Sequence, residues 1–171
     1  MGGPVTGPSE RRVDPDVDLR VDPDVDLRVP ADRGELAAHP AAVLGAVAAG
    51  GALGALARAG TQALFPHSPT GFPWATLGVN VSGCLLIGVL MAVLTARPAG
   101  PLARPFLGVG VLGGFTTFST YVVDGQRAVL AGAPGTALAY LAATLVGALL
   151  AVAAGDALAA RLLARAGSAP R

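Results

Sequence analysis

Four long tracts of this 171-residue chain carry no charge: Leu36 to Ala57, Ala59 to Ala96, Pro105 to Val123 and Ala128 to Gly155. About 20 apolar residues cross a bilayer core about 30 Å thick as a helix. The tracts therefore predict an all-α membrane protein with four transmembrane helices, at about 40–62, 75–96, 104–130 and 135–156. Helices in lipid gain little from hydrophobic burial against each other and pack instead through small residues. Gly50, Gly51 and Gly54, with Ala55, give the first span a face that a neighbouring backbone can approach closely.

The first 35 residues are of another kind. Arg12–Leu19 and Arg20–Leu27 repeat the octet RVDPDVDL. Its prolines cannot continue a helix and its charge opposes collapse. The stretch holds nine of the 11 acidic residues against five Arg, a net of about −4. No apolar core follows a basic start, so it is not read as a signal peptide. The expected organisation is a disordered acidic repeat tail over 1–35, a four-helix membrane domain over 36–160 and a short basic tail over 161–171.

Within the third span the run Gly113-Gly-Phe-Thr-Thr-Phe-Ser-Thr-Tyr121 stands out. Adjacent glycines weaken a helix, and Thr116, Thr117, Ser119 and Thr120 offer the backbone other hydrogen-bond partners. A break in the third helix near 112–117 is expected. Irregular backbone at membrane depth persists only where it is buried in protein or lines a wet cavity, which makes the run a candidate ion or substrate site. Continued helical spacing would put Phe115, Phe118 and Tyr121 in one stripe, either for packing or to turn positive ring edges toward an anion.

Asn80 lies mid-span in Thr76-Leu-Gly-Val-Asn-Val-Ser-Gly83. An amide there faces another helix, a cavity or an ion, because lipid offers it no partner. Thr76, Asn80 and Gly83 share a helical face. Arg58, near the end of the first span, either snorkels to the interface or draws anions toward a vestibule. Tyr140 and Thr144, four apart on the last span, extend a polar lining or, for the tyrosine, mark an interface. Asp124 and Asp156 are assigned to the interface. Cys84 is read as a packing residue, and His39 and His67 have no Cys or carboxylate at zinc-ligand spacing. With no phosphate loop, no nucleophile and base pair and no basic nucleic-acid stripe, the chain is not expected to be an enzyme or to bind nucleic acid.

Three motifs in order, Gly50-Gly-Ala-Leu-Gly-Ala-Leu-Ala-Arg58, Thr76-Leu-Gly-Val-Asn-Val-Ser-Gly83 and Gly110-Val-Leu-Gly-Gly-Phe-Thr-Thr-Phe-Ser-Thr120, resemble the signatures of the CrcB/Fluc family of fluoride channels. The third is highly specific, and the resemblance covers about residues 41–156. It implies a four-helix protomer in the cell membrane, assembled as an antiparallel dimer with two fluoride pathways along the interface. It further implies Asn80 as the pore amide, Phe118 as the first pore aromatic, and Tyr121 at the second aromatic position, where the family usually has Phe. A central structural Na⁺, not transported, would be held by the backbone carbonyls of Gly113 and Thr116. Freed carbonyls at the end of a half-helix suit such a cation. Thr117, Ser119, Thr120, Thr76 and Thr144 are the further pathway candidates.

A proton-coupled small multidrug transporter is the alternative, also a four-helix protein that can pair in opposed orientations. It needs a membrane-embedded carboxylate, and the first two spans contain no Asp or Glu. Orientation is legible from arginine. Arg28, Arg33, Arg97, Arg104, Arg161, Arg165 and Arg171 lie on the side of the termini, against Arg58 and Arg127 on the other. That bias predicts both termini in the cytoplasm. A chain inserting one way would pair with an oppositely oriented homologue, whereas a dual-topology chain would form a homodimer.

Overall fold

The computed structural model describes residues 40–97 and 99–167, and all regular structure among them is helical. The acidic repeat and the last residues of the basic tail lie outside the described residues. Helix α1 spans Pro40–Leu64 and α2 spans Trp74–Ala96. The third span, Arg104–Leu130, is assembled from α3 (Arg104–Leu112), α4 (Gly113–Phe115) and α5 (Ser119–Leu130). Helix α6 spans Pro134–Gly167. Four segments are thus long and apolar enough to cross a membrane.

Glycine determines which backbones meet. On α1, a Cβ at Gly50 would run into Phe106 O, and one at Gly54 would run into Val111 O and lie 2.7 Å from Phe115 N. From the other side, a Cβ at Gly110 would lie 2.9 Å from Gly50 Cα. The α1 and α3 backbones therefore touch, as expected of small residues in spanning helices. A second crossing joins α2 to α6: a Cβ at Gly88 would strike Val152 O, and one at Gly155 would strike Leu85 O.

Helix α3 is wound in wide π-type turns, with Gly113 N–H reaching Gly108 O five residues back. Pro105, near its start, has no N–H to donate. After Phe115 the backbone of Thr116 is extended, at φ −73° and ψ 160°. The α5–α6 connection closes with Gly132 at φ 81°, Gly132 N–H on Val129 O and Ala133 N–H on Ala128 O. That pattern needs the left-handed conformation glycine supplies. Pro134 then opens α6, where its missing N–H costs nothing.

Helix α6 differs from the sequence expectation. It does not give way to a tail at 161 but stays helical to Gly167, 34 residues in all. At 1.5 Å per residue that is about 50 Å, well beyond a bilayer core of about 30 Å. The run of Ala and Leu after Asp156 favours helix strongly enough to continue it to Gly167. Leu53, Leu56, Leu138 and Leu149 are among the large apolar side chains left exposed on the protomer. Such a surface suits lipid or another protein, not water.

Candidate functional site

Thr76, Asn80 and Gly83 are all buried on one face of α2. Opposite them lies the backbone between α4 and α5. Asn80 Nδ2 donates to Thr117 O at 2.9 Å, and Thr117 N–H donates to Asn80 Oδ1 at 2.8 Å. One amide side chain thus serves both backbone groups of a residue outside any helix, where lipid would leave them unsatisfied. Gly83 makes room for this approach, since a Cβ there would run into the Thr116 methyl.

Two more bonds shape the segment. The Thr117 hydroxyl accepts Thr120 N–H at 3.1 Å, as a capping residue does at a helix start. It also donates to Thr120 Oγ1 at 3.1 Å, with Ser119 Oγ at 3.4 Å. In an unbroken helix Thr117 N–H would bond Gly113 O, and Thr120 N–H would bond Thr116 O. Both donors are instead held by side chains, so these two carbonyls lose their helical partners. The Thr116 hydroxyl turns back to Leu112 O at 3.0 Å.

The stripe of three aromatics does not form. Phe115 packs toward Gly83, with its Cδ1 3.4 Å from where a Cβ would sit, whereas Phe118 is 77% exposed. Helical spacing cannot carry the row through the extended Thr116. Phe118 and Tyr121 remain neighbours, their ring centroids 5.9 Å apart. Tyr121 also meets Tyr140 at 5.5 Å, and its hydroxyl donates to Leu141 O at 2.8 Å.

Asp124 corrects the interface assignment: it is 4% exposed. Its Oδ2 accepts the Thr76 hydroxyl at 2.8 Å, and His67 Nε2 stands 3.9 Å from Oδ1. Being acidic and six residues from the end of α5, it reads from sequence as an interfacial group. Its place three residues after Tyr121, on the same helical row, was the signal that it faces inward. Tyr140 is likewise no interfacial tyrosine, being fully buried and edge-on to Phe72 at 5.7 Å. Thr144 is buried one turn further along α6. The Tyr140 and Thr144 hydroxyls and Gln62 Nε2 are buried without a protein hydrogen-bond partner among the described residues.

Arg58 is partly exposed on α1, one turn beyond Gly54 and so next to the level of the α4–α5 gap. Asp156 is exposed. The structure therefore groups Asn80, Thr117, Ser119 and Thr120 in one cluster, with Phe118 and Tyr121 beside it. Thr76 and Asp124 form a second, directly bonded cluster one helical turn along α2.

Fold and site together define a four-span helical membrane protein in which hydroxyl, amide and aromatic groups gather round an irregular stretch of the third span. Residues 45–156 match the family described as CrcB-like protein, Camphor Resistance (CrcB), and the chain belongs to that family. It is 62% identical over 125 residues to a protein of Thermobifida fusca named fluoride-specific ion channel FluC 2, covering 72% of this chain and 93% of that one. It is 55% identical over 113 residues to fluoride-specific ion channel FluC 1 of Streptomyces coelicolor, covering 66% and 73% of the two chains. It is also 48% identical over 109 residues to fluoride-specific ion channel FluC of Paracoccus denitrificans, covering 64% and 87%. All three are named as ion channels and not as enzymes.

Proposed function

We propose that this chain forms a fluoride-specific channel of the cell membrane that lets the anion leave the cytoplasm passively. The observation that carries the reading is the donor cluster of Asn80, Thr117, Ser119 and Thr120 beside the exposed ring of Phe118, in a chain so similar to proteins named for fluoride. Hydrogen fluoride crosses membranes neutral and ionises in a more alkaline cytoplasm, so fluoride accumulates there. A negative interior drives the anion out, at about 2.3 kcal/mol per charge per 100 mV.

A small, strongly hydrated anion enters only where donors replace its water, and leaves only if they hold it loosely. Asn80 can supply one such donor, since a single N–H of its amide is engaged by Thr117 O. The hydroxyls of Ser119, Thr120 and Thr144 are further donor candidates, whereas Thr76, also a pathway candidate, has its one proton on Asp124 Oδ2. The edges of Phe118 and Tyr121 add partial positive charge without a fixed cation that would trap the ion. Arg58, next to this level, raises the local anion concentration at the vestibule.

Two protomers in opposed orientations would complete the channel, placing the Gly113 and Thr116 carbonyls of each around a central Na⁺. The donor set fits that ion: neutral hard oxygens, relieved of their helical N–H partners by Asn80 and the Thr117 hydroxyl. Bound there, Na⁺ supplies positive charge that holds the protomers together and is not transported. The partner is either a second copy or an oppositely oriented homologue. Names numbered FluC 1 and FluC 2 among the relatives, and the arginine asymmetry of this chain, favour the homologue.

The transporter alternative requires a carboxylate free to exchange protons for cations. Among the described residues Asp124 is the one acidic group buried in a span, where its Oδ2 accepts the Thr76 hydroxyl and His67 Nε2 stands 3.9 Å from its Oδ1. Fluoride efflux from liposomes containing the purified protein, with chloride as control, tests the proposal. Equal release of both anions would refute it.

A further inference from the structure

The α2–α6 crossing at Gly88 and Gly155 is a pivot. There the two backbones touch, whereas toward their C-terminal ends the helices flank an open space with larger residues. The result is a groove walled by Val89 and Val93 on α2 and by Leu158, Ala159 and Leu162 on α6, with Arg97 at its mouth. Leu158 and Leu162 are 52% and 55% exposed, and Arg97 is exposed. The walls are apolar throughout, and the groove runs along the helices, parallel to the acyl chains of a surrounding bilayer.

Charge decides what lies in it. With four spans, the ends of α2 and α6 share the side that carries Arg97, Arg104, Arg161 and Arg165, which positive-inside bias places in the cytoplasm. That leaflet is the one rich in anionic lipid, and basic pockets between spanning helices on that side bind anionic head groups. Asp156, the one acidic residue near this end, adjoins Gly155 at the pivot, about two turns short of the mouth. We propose that the groove holds one acyl chain of an anionic phospholipid whose phosphate is bound by the Arg97 guanidinium. Arginine suits this role because its planar fork matches phosphate oxygens in pairs and remains charged at the membrane surface. A lipid seated there would brace the two helices beyond the pivot. This reading is independent of the ion conducted.

The full-length protein, purified in detergent with a mixture of phosphatidylglycerol and phosphatidylcholine, tests it by native mass spectrometry of the lipid retained. The wild-type chain should retain phosphatidylglycerol preferentially. Arg97→Gln should reduce that retention about five-fold, the equivalent of about 1 kcal/mol for one basic group at the surface. Ala159→Phe, which fills the groove, should abolish it. Arg127→Gln, on the opposite side of the membrane, should leave it unchanged. Should Ala159→Phe fail to fold, Arg97→Gln at an exposed position still decides the matter. Equal retention of the two lipids by the wild type, or unchanged retention in Arg97→Gln, would overturn the proposal. So would disulfide-linked dimers of Leu162→Cys in a Cys84→Ser background, since the groove would then be covered by a second copy.

Discussion

Asn80 and Thr117, 37 residues apart in sequence, exchange two hydrogen bonds through one side-chain amide and one peptide unit. The amide stands in for the helical partners that Thr117 lacks. A residue proposed for the pathway therefore also holds the irregular backbone in place, and the two roles can be separated by substitution.

Asn80→Asp retains the oxygen that accepts Thr117 N–H but replaces the donor with a charged oxygen against Thr117 O. Fluoride efflux from proteoliposomes should be lost through repulsion of the anion, while dimer formation survives. Stability should fall by about 1–3 kcal/mol, the cost of leaving a buried carbonyl unpaired. Normal flux in this variant would reduce Asn80 to interhelical packing.

Tyr121→Phe removes the hydroxyl that reaches Leu141 O and keeps the ring. Efflux should persist, with a stability loss of about 0.5–1.5 kcal/mol in a denaturant titration. Phe118→Ile should do the reverse, impairing efflux while barely touching stability, because the ring is largely exposed on the protomer.

The glycines should divide by what their missing Cβ would meet. Gly88→Ala drives a methyl into Val152 O and should cost about 1–3 kcal/mol. Gly78→Ala meets nothing within 4 Å and, by restricting the unfolded chain, should stabilise by about 0.4–1 kcal/mol. Unfolding titrations of the two variants in detergent provide the comparison.

Thr116→Ser keeps both the backbone carbonyl and a hydroxyl able to reach Leu112 O. It should leave Na⁺ dependence unchanged. Replacing Na⁺ by a large organic cation should inactivate the channel or loosen the dimer. Full flux and an intact dimer after exhaustive Na⁺ removal would contradict the central-cation proposal.

A reporter fused at the C-terminus should report one orientation, cytoplasmic, given seven arginines against two. Equal populations on both faces, together with robust flux from the lone chain, would favour a dual-topology homodimer.

Charge and apolarity act locally, because each residue pays its own transfer free energy between water and lipid. Four spans, their boundaries within a few residues except at the C-terminal end of the last, and the shared face of Thr76, Asn80 and Gly83 are therefore legible without coordinates. So are the glycine faces of α1, and the motifs at 50–58, 76–83 and 110–120 that placed the chain in its family. What depends on which helix faces which is not legible in this way. Asp124 has the sequence context of an interfacial carboxylate and becomes a buried acceptor because α2 presents Thr76 to it and the α1–α2 loop brings His67 near. Tyr121 carries a hydroxyl that only the position of α6 can satisfy. Phe115 leaves the aromatic row because Asn80, from another helix, holds the backbone of Thr117 out of helical register. Each of these outcomes is a pairing between residues tens of positions apart, whose partners are selected by the glycine crossings and not by any local preference of the chain.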